Sequence, residues 1–169
     1  MRFVLMIVVA AVALAPADRQ FVYTALQINT DEIRQGQIYD DSPDPAVRAF
    51  AHAIHTDASE ANQQLIAIAD SNGIRVSRAQ GAGVPFQATA QPAKLSPNGK
   101  ERQMNRVPPE QFFQRERAVN EKAIALYEQA ASTSQNVELK SYAERTLPVL
   151  KRHLADATKG ADAERNRKP

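Results

Sequence analysis

The stretch VELKSYAERTLPVLKRHLADA, residues 137–157, decides the fold of this 169-residue chain. Its apolar residues return every three or four positions, which predicts an amphipathic helix with one side packed against a core. These residues are Leu139, Ala143, Leu147, Leu150, Leu154 and Ala157. His153 lies beside the stripe, and Pro148 lies inside the helix, where its missing N–H should cause a kink. We expect this helix to end at Lys159-Gly160 and a basic flexible tail to follow over residues 161–169.

Three more amphipathic helices are predicted upstream of this one. The first covers about residues 19–40. The second begins at Pro45, with Asp44 as its N-cap, and ends at Asn72-Gly73. The third covers about residues 108–131 and opens with two prolines. Four apolar stripes of this kind in one short chain are typical of a helical bundle.

A long linker separates the second and third helices. Residues 74–107 show no sustained hydrophobic period and contain several Gly and Pro residues. A structureless segment of this length is unusual inside a compact domain, but bundles with a long crossover are a known arrangement. We therefore predict one all-α domain, a four-helix bundle over residues 18–160 with a crossover loop over residues 74–107.

The first 17 residues have the pattern of a secretory signal peptide. Arg2 supplies the positive charge, Phe3 to Leu14 form the apolar segment, and Ala15-Pro16-Ala17 forms a small-x-small cleavage site. The apolar segment has about a dozen residues, whereas a membrane-spanning helix needs roughly 20. We expect cleavage after Ala17, a periplasmic or secreted protein, and no transmembrane segment in the mature chain.

Charge and composition narrow the range of functions. The chain has a net charge of +2 and no cysteine, which argues against a general nucleic-acid binder, a disulfide framework and a thiolate metal site. The crossover and the C-terminal tail are basic, which is typical of solvated segments. The alternative is that these segments contact an anionic envelope surface such as lipid headgroups.

Five groups of short motifs follow one another along the helices. They are Asp31-Glu32-Ile33 with Gly36, Pro45 to Ala51, Ala61-Asn62 with Leu65, Lys122 to Tyr127, and Leu147-Pro148 with His153-Leu154. In this order and spacing they resemble a family of secreted bacterial domains of unknown function, family 4142, which is grouped with the ferritin-like bundles. The resemblance covers nearly the whole mature chain except the crossover, and it implies a ferritin-like four-helix bundle. Ala58 and Asn120 depart from the family pattern, because the family has His at both positions; the crossover also lacks the family's Gly-x-x-Phe-Asp element.

Polar residues on the apolar stripes mark the candidate site. Ferritin-like di-metal sites take a Glu from each of two helices and Glu-x-x-His from each of the other two. No Glu-x-x-His occurs in this chain, so a di-iron oxidase is disfavoured. The polar residues that fall on or beside the stripes are Glu32, Glu116, Asn120 and His153. We favour a buried hydrogen-bonded network for them; the alternative is a weak mononuclear site for Zn, Mn or Fe.

No catalytic or cofactor-binding residue can be assigned from the sequence. His52 and His55 are one helical turn apart, a workable spacing for a surface metal, but they lie outside or at the edge of the stripe and should face solvent. Gly81-Ala82-Gly83 opens no helix, which argues against a phosphate-binding loop.

Three functional hypotheses follow from the sequence. The first is a non-enzymatic envelope bundle that acts through its surface or through an unidentified protein partner, without a cofactor. The second is a bundle that binds a divalent metal ion or a small ligand at a reduced ferritin-like site. The third, a redox enzyme, has the least support because the di-metal motif is incomplete.

Overall fold

The computed structural model describes residues 14–74, 76 and 106–167, and these residues form four α-helices. The helices are α1 (Pro16–Tyr39), α2 (Pro45–Ser71), α3 (Pro109–Thr133) and α4 (Val137–Asn166). No strand occurs in the described ranges, and none of their helices has an apolar stretch long enough to cross a membrane. The predicted all-α four-helix bundle is confirmed. The predicted signal sequence and most of the predicted crossover lie outside the described residues.

Local capping explains where the helices begin and end. The Asp44 side chain accepts hydrogen bonds from the backbone N–H groups of Ala46 and Val47, which are donors that a helix start leaves unpaired. Asn136 does the same for Leu139 at the start of α4. At the end of α2, Gly73 adopts a positive φ of 74°, a conformation that favours glycine. The two boundaries of α2 agree with the sequence prediction.

The four helices form two hairpins, α1 with α2 and α3 with α4. The hairpins pack so that α2 also lies beside α4, and α1 also lies beside α3. Gly36 allows α1 and α2 to approach closely, because a Cβ atom there would lie 2.5 Å from Cβ of His55 and 2.6 Å from the carbonyl oxygen of Ala51. Gly160 has the same role in the other hairpin, where a Cβ atom would lie 2.5 Å from the Phe113 ring.

The end of α4 corrects a sequence prediction. The helix does not stop at Lys159-Gly160 but continues to Asn166, so the first residues of the expected flexible tail are helical. Gly160 is a close-packing residue against Phe113 rather than a helix terminator. Ala161, the next residue, is completely buried, which explains why the helix is held beyond the glycine.

Two clusters of apolar side chains form the core. The first cluster includes Phe21, Leu26, Leu65, Ala123, Tyr127, Leu139, Tyr142 and Leu150. The second cluster consists of Ile38, Tyr39, Val47, Phe50, Ala51, Ile54, Phe112, Phe113, Ala157 and Ala161. On every helix the residues of one cluster precede those of the other along the chain, so the clusters occupy opposite ends of the bundle.

Buried polar residues lie between the two clusters. On α1, α3 and α4 they fall in the segment that separates one cluster from the other, and each is nine-tenths buried or more. We use the name polar layer for five of them: Asn29, Glu32, Glu116, Asn120 and His153. Gln35 and Gln37 on α1 and Asn62 on α2 are also buried between the clusters. Because uncompensated burial of such groups costs free energy, the polar layer is the part of the bundle that packing alone does not explain.

Candidate functional site

Glu32, Glu116 and Asn120 converge between α1 and α3. The side-chain nitrogen of Asn120 donates to the backbone oxygen of Glu116 at 3.0 Å and lies 3.5 Å from Oε1 of Glu32. The helical spacing accounts for the first contact, because residues four apart share a face. The second contact joins residues 88 positions apart in the chain. The structure therefore brings together three of the four residues that the sequence proposed for the site.

The two glutamates perturb each other's ionisation. Burial raises the pKa of Glu32 well above its usual value, and repulsion by Glu116 raises it further. Burial also raises the pKa of Glu116 to about 7, although nearby Arg115 acts in the opposite direction. Two carboxyl groups so close together are not both ionised near neutral pH without a compensating cation, so in its absence the pair shares a proton.

A second polar contact extends from Asn29. Its side-chain nitrogen lies 3.5 Å from the hydroxyl of Tyr142, and that hydroxyl is 3.1 Å from the hydroxyl of Tyr127. Tyr142 also donates to the backbone oxygen of Ala61 at 3.2 Å. These bonds satisfy both tyrosine hydroxyl groups, although neither tyrosine has measurable exposure to solvent. Asn29 thus joins the polar layer to the first cluster.

His153 takes a different partner from the other layer residues. Its Nε2 lies 2.8 Å from Oδ2 of Asp57 on α2, and the same oxygen accepts a 2.6 Å hydrogen bond from Arg152. Burial lowers the pKa of His153, and the facing Asp57 carboxylate offsets this effect only in part. The ring also packs edge-on against Phe50, with centroids 6.2 Å apart. These contacts hold His153 in one orientation within the layer.

A cavity of about 250 Å³ opens between α1, α2 and α4. Its apolar wall comes from Ile28, Ala58, Ala61, Val149 and Leu150. Its polar wall includes Asn29, Glu32, Asp57, Glu60, Gln64, Arg145, Thr146 and His153. Glu32 and His153 therefore face one space, although they are bonded to different partners. A smaller cavity of about 170 Å³ lies on the α3 side and is also lined by Glu32.

Sequence reasoning missed two residues of this region. Asp57 is the partner of His153, and Asn29 is the partner of Tyr142. Asn29 lies one helical turn before Glu32 on the same face, a signal that the sequence does contain. Asp57 carries no comparable signal, because its pairing depends on how α2 packs against α4.

The donor atoms do not fit a ferritin-like di-metal site. Such a site needs carboxylates and Glu-x-x-His pairs that project into one centre. Within the described ranges, no group of three or more His, Cys, Asp or Glu side chains is arranged to hold a metal ion. His52 is exposed, in agreement with the predicted solvent-facing position. His55 is instead half-buried against α1, at 3.7 Å from a carboxylate oxygen of Asp40.

Comparisons with known proteins identify the family. A family model for a domain of unknown function (DUF4142) matches residues 7–159. No curated protein matches the chain. A solved structure, described as the crystal structure of a DUF305 fragment from Deinococcus radiodurans, is similar with a TM-score of 0.64 and 18% sequence identity, over 90% of this chain and 99% of that one. This likeness shows the fold alone. Because the family model spans most of the sequence, the chain belongs to the DUF4142 family of domains of unknown function.

Proposed function

We propose that this chain is an exported, non-enzymatic bundle that binds a small molecule in the cavity between α1, α2 and α4. The observation that carries the proposal is the cavity of about 250 Å³ that the side chains leave open beside the polar layer. The cavity is open to solvent, because exposed residues such as Glu60, Gln64 and Arg145 form part of its lining. A concave, partly apolar space that a small molecule can enter from solvent is the usual form of a ligand site.

The lining of the cavity supports binding of a small amphipathic molecule. Small-molecule sites are mostly apolar and contain a few well-placed polar groups that fix the orientation of the ligand. Here apolar lining residues such as Ala58 and Leu150 are combined with polar ones such as Asn29, Arg145 and His153. The volume is just below the usual lower bound of about 300 Å³, so the ligand should be smaller than most drugs.

The surface offers less support for a docking role. The large hydrophobic side chains that are exposed within the described ranges are Val107 and Val137, and they lie at the starts of different helices. The basic end of α4 is engaged with the chain itself, since Arg167 contacts Asp44 at 2.9 Å and Glu164 at 2.6 Å. These contacts favour the cavity over the surface as the place of binding.

Export is part of the proposal and rests on the sequence pattern. Arg2, the apolar segment and the Ala15-Pro16-Ala17 site form a signal of the usual order. Because α1 begins at Pro16, cleavage after Ala17 would leave all but the first two residues of the bundle's first helix in place. The mature chain would then act in the periplasm or outside the cell.

The test is native mass spectrometry of mature protein isolated, without an affinity tag, from the envelope of the bacterium that makes it. We expect a mass above that of the polypeptide under native conditions and the polypeptide mass alone after denaturation. Ala58→Phe, which fills the cavity from α2, should remove the additional mass. Ala125→Phe, at an exposed position on α3, is the matched control and should retain it. Equal native and denatured masses for the unmodified sequence would contradict the proposal.

A further inference from the structure

The α1–α3 side of the polar layer has more hydrogen-bond acceptors than donors. Three buried oxygens have no hydrogen-bond partner: Oε2 of Glu32, Oε1 of Glu116 and Oδ1 of Asn120. The side-chain nitrogen of Asn120 is directed at the Glu116 backbone and at the other oxygen of Glu32, so it does not serve these three oxygens. All three residues are more than nine-tenths buried.

A proton shared by the two carboxyl groups does not give every buried oxygen a partner. A proton between the two carboxyl groups satisfies two of the three oxygens, and it leaves Oδ1 of Asn120 without a partner. An unpaired buried acceptor costs about 1–3 kcal/mol. A cation that contacts all three oxygens removes this cost and also neutralises the carboxylates.

We propose that Glu32, Glu116 and Asn120 bind one hard divalent cation through oxygen atoms alone. Carboxylate, amide and water oxygens are the ligands that Mg²⁺, Ca²⁺ and Mn²⁺ prefer. The cavity of about 170 Å³ that Glu32 and Glu116 line on the α3 side supplies space for the water molecules that complete the coordination. Two carboxylates balance the charge of one divalent cation.

This site differs from the one that the sequence suggested. His153 is not a ligand, because its Nε2 is bonded to Asp57. Without an imidazole, the ligand set favours oxygen-seeking cations over Zn²⁺. The third protein ligand is an amide, so the site contains only two ionisable ligands. The proposed cation site lies between α1 and α3, whereas the cavity of about 250 Å³ lies between α1, α2 and α4. The cation proposal therefore does not depend on whether that cavity holds a small molecule.

Nearby positive charges limit the affinity. Arg115 and Lys122 also line the α3-side cavity, and both repel a cation. Both residues are exposed, so solvent and salt screen much of this repulsion. With three protein ligands the site should bind in the range of weak extracellular calcium modules, with a Kd of about 0.1–1 mM.

The test is titration of chelator-treated mature protein with Mn²⁺, followed by electron paramagnetic resonance and by the melting temperature. We expect one Mn²⁺ per chain and a rise in melting temperature. Glu116→Gln keeps the shape of the side chain but removes a charged ligand, and it should weaken binding roughly tenfold or more. Glu128→Gln, an exposed carboxylate on the same helix, is the control and should bind as the unmodified chain does.

The variant Asn120→Asp distinguishes a cation site from a polar network that binds no cation. It adds a third carboxylate, so it should strengthen Mn²⁺ binding and increase the rise in melting temperature that Mn²⁺ produces. In a network without a cation, the same change would lower stability and Mn²⁺ would not restore it. The absence of bound Mn²⁺ at about 1 mM, or equal binding by the unmodified chain and Glu116→Gln, would overturn the proposal.

Discussion

At the residue scale, the buried carboxyl groups of the polar layer lower the stability of the fold but provide oxygen ligands. Glu116 is only 1% exposed, and its nearest ionisable neighbours include another carboxyl group, Glu32. A hydrophobic residue at either position would avoid the desolvation cost and could continue the core. The carboxyl groups therefore have a role other than packing, and binding of the proposed cation would be that role.

The first prediction concerns pH. Because burial raises the pKa of Glu116 to about 7, the folded chain binds a proton there at a higher pH than the unfolded chain does. Protonation thus favours folding, and this contribution grows as the pH falls from about 7 toward the ordinary value of 4.5. In chelator-treated protein, Glu116→Gln should stabilise the fold more at about pH 8 than at about pH 5.

Comparison of the two proteins isolates this effect from that of His153. The lowered pKa of His153 makes its protonation favour the unfolded chain as the pH falls, which is the opposite direction. That contribution is the same in both proteins and cancels in the difference. Urea denaturation at each pH measures the difference in unfolding free energy. Glu116→Gln also removes the charge that raises the pKa of Glu32, so the difference reports the coupled pair. A difference that stays constant with pH would show that the pair does not titrate in this range.

The second prediction concerns His153→Leu. The change keeps an apolar contact with Phe50 but removes the 2.8 Å partner of Asp57. Asp57 retains Arg152 and some solvent contact, so the loss should be about 1–2 kcal/mol of unfolding free energy. His52→Leu, at an exposed position of α2, should stay within about 0.5 kcal/mol. Equal losses in these two variants by urea denaturation would contradict the role of the His153–Asp57 pair.

At the scale of secondary-structure elements, one glycine in each hairpin sets the distance between helices. The third prediction is that Gly160→Ala destabilises the bundle, although Ala is the better helix former. The added Cβ atom would lie 2.5 Å from the Phe113 ring, so α3 and α4 must separate. We expect a loss of about 1–3 kcal/mol by urea denaturation. Lys159→Ala, next to it and exposed, is the control; a neutral or stabilising Gly160→Ala would disprove the close approach.

The same elements show what the sequence could and could not predict. Asp44 and Asn136 could be recognised as N-caps because capping depends on residues only two or three positions away. The sequence indicates a helix end at Gly160 because glycine often terminates helices, whereas the contact with Phe113 depends on the packing of another helix. For the site, Glu32, Glu116 and Asn120 were identifiable as polar residues on apolar stripes. The pairing of His153 with Asp57 was not, because it depends on the packing of two distant helices.

At the scale of the whole molecule, two apolar clusters stabilise the ends of the bundle and leave its middle for binding. Each cluster draws on all four helices, so both ends of the bundle are packed independently of what the polar layer binds. The position of the layer between the clusters keeps Glu32 in contact with both cavities. Binding at the layer should therefore stabilise the bundle without changing its topology.

The fourth prediction concerns removal of the first 17 residues. If residues 1–17 act as a signal peptide, the protein recovered from the envelope or the medium should begin at Asp18. Intact mass spectrometry of that material gives the first residue directly. Full-length chain that accumulates in the cytosol, with none outside it, would contradict export.

If the middle of the bundle is a binding site, a crystal structure of mature protein isolated from the envelope should show an occupant there. We expect continuous non-protein electron density in the cavity of about 250 Å³, in contact with polar side chains that include Asn29 and His153. A cavity closed by its own side chains, or filled only by ordered water, would show that this part of the bundle is not a binding site.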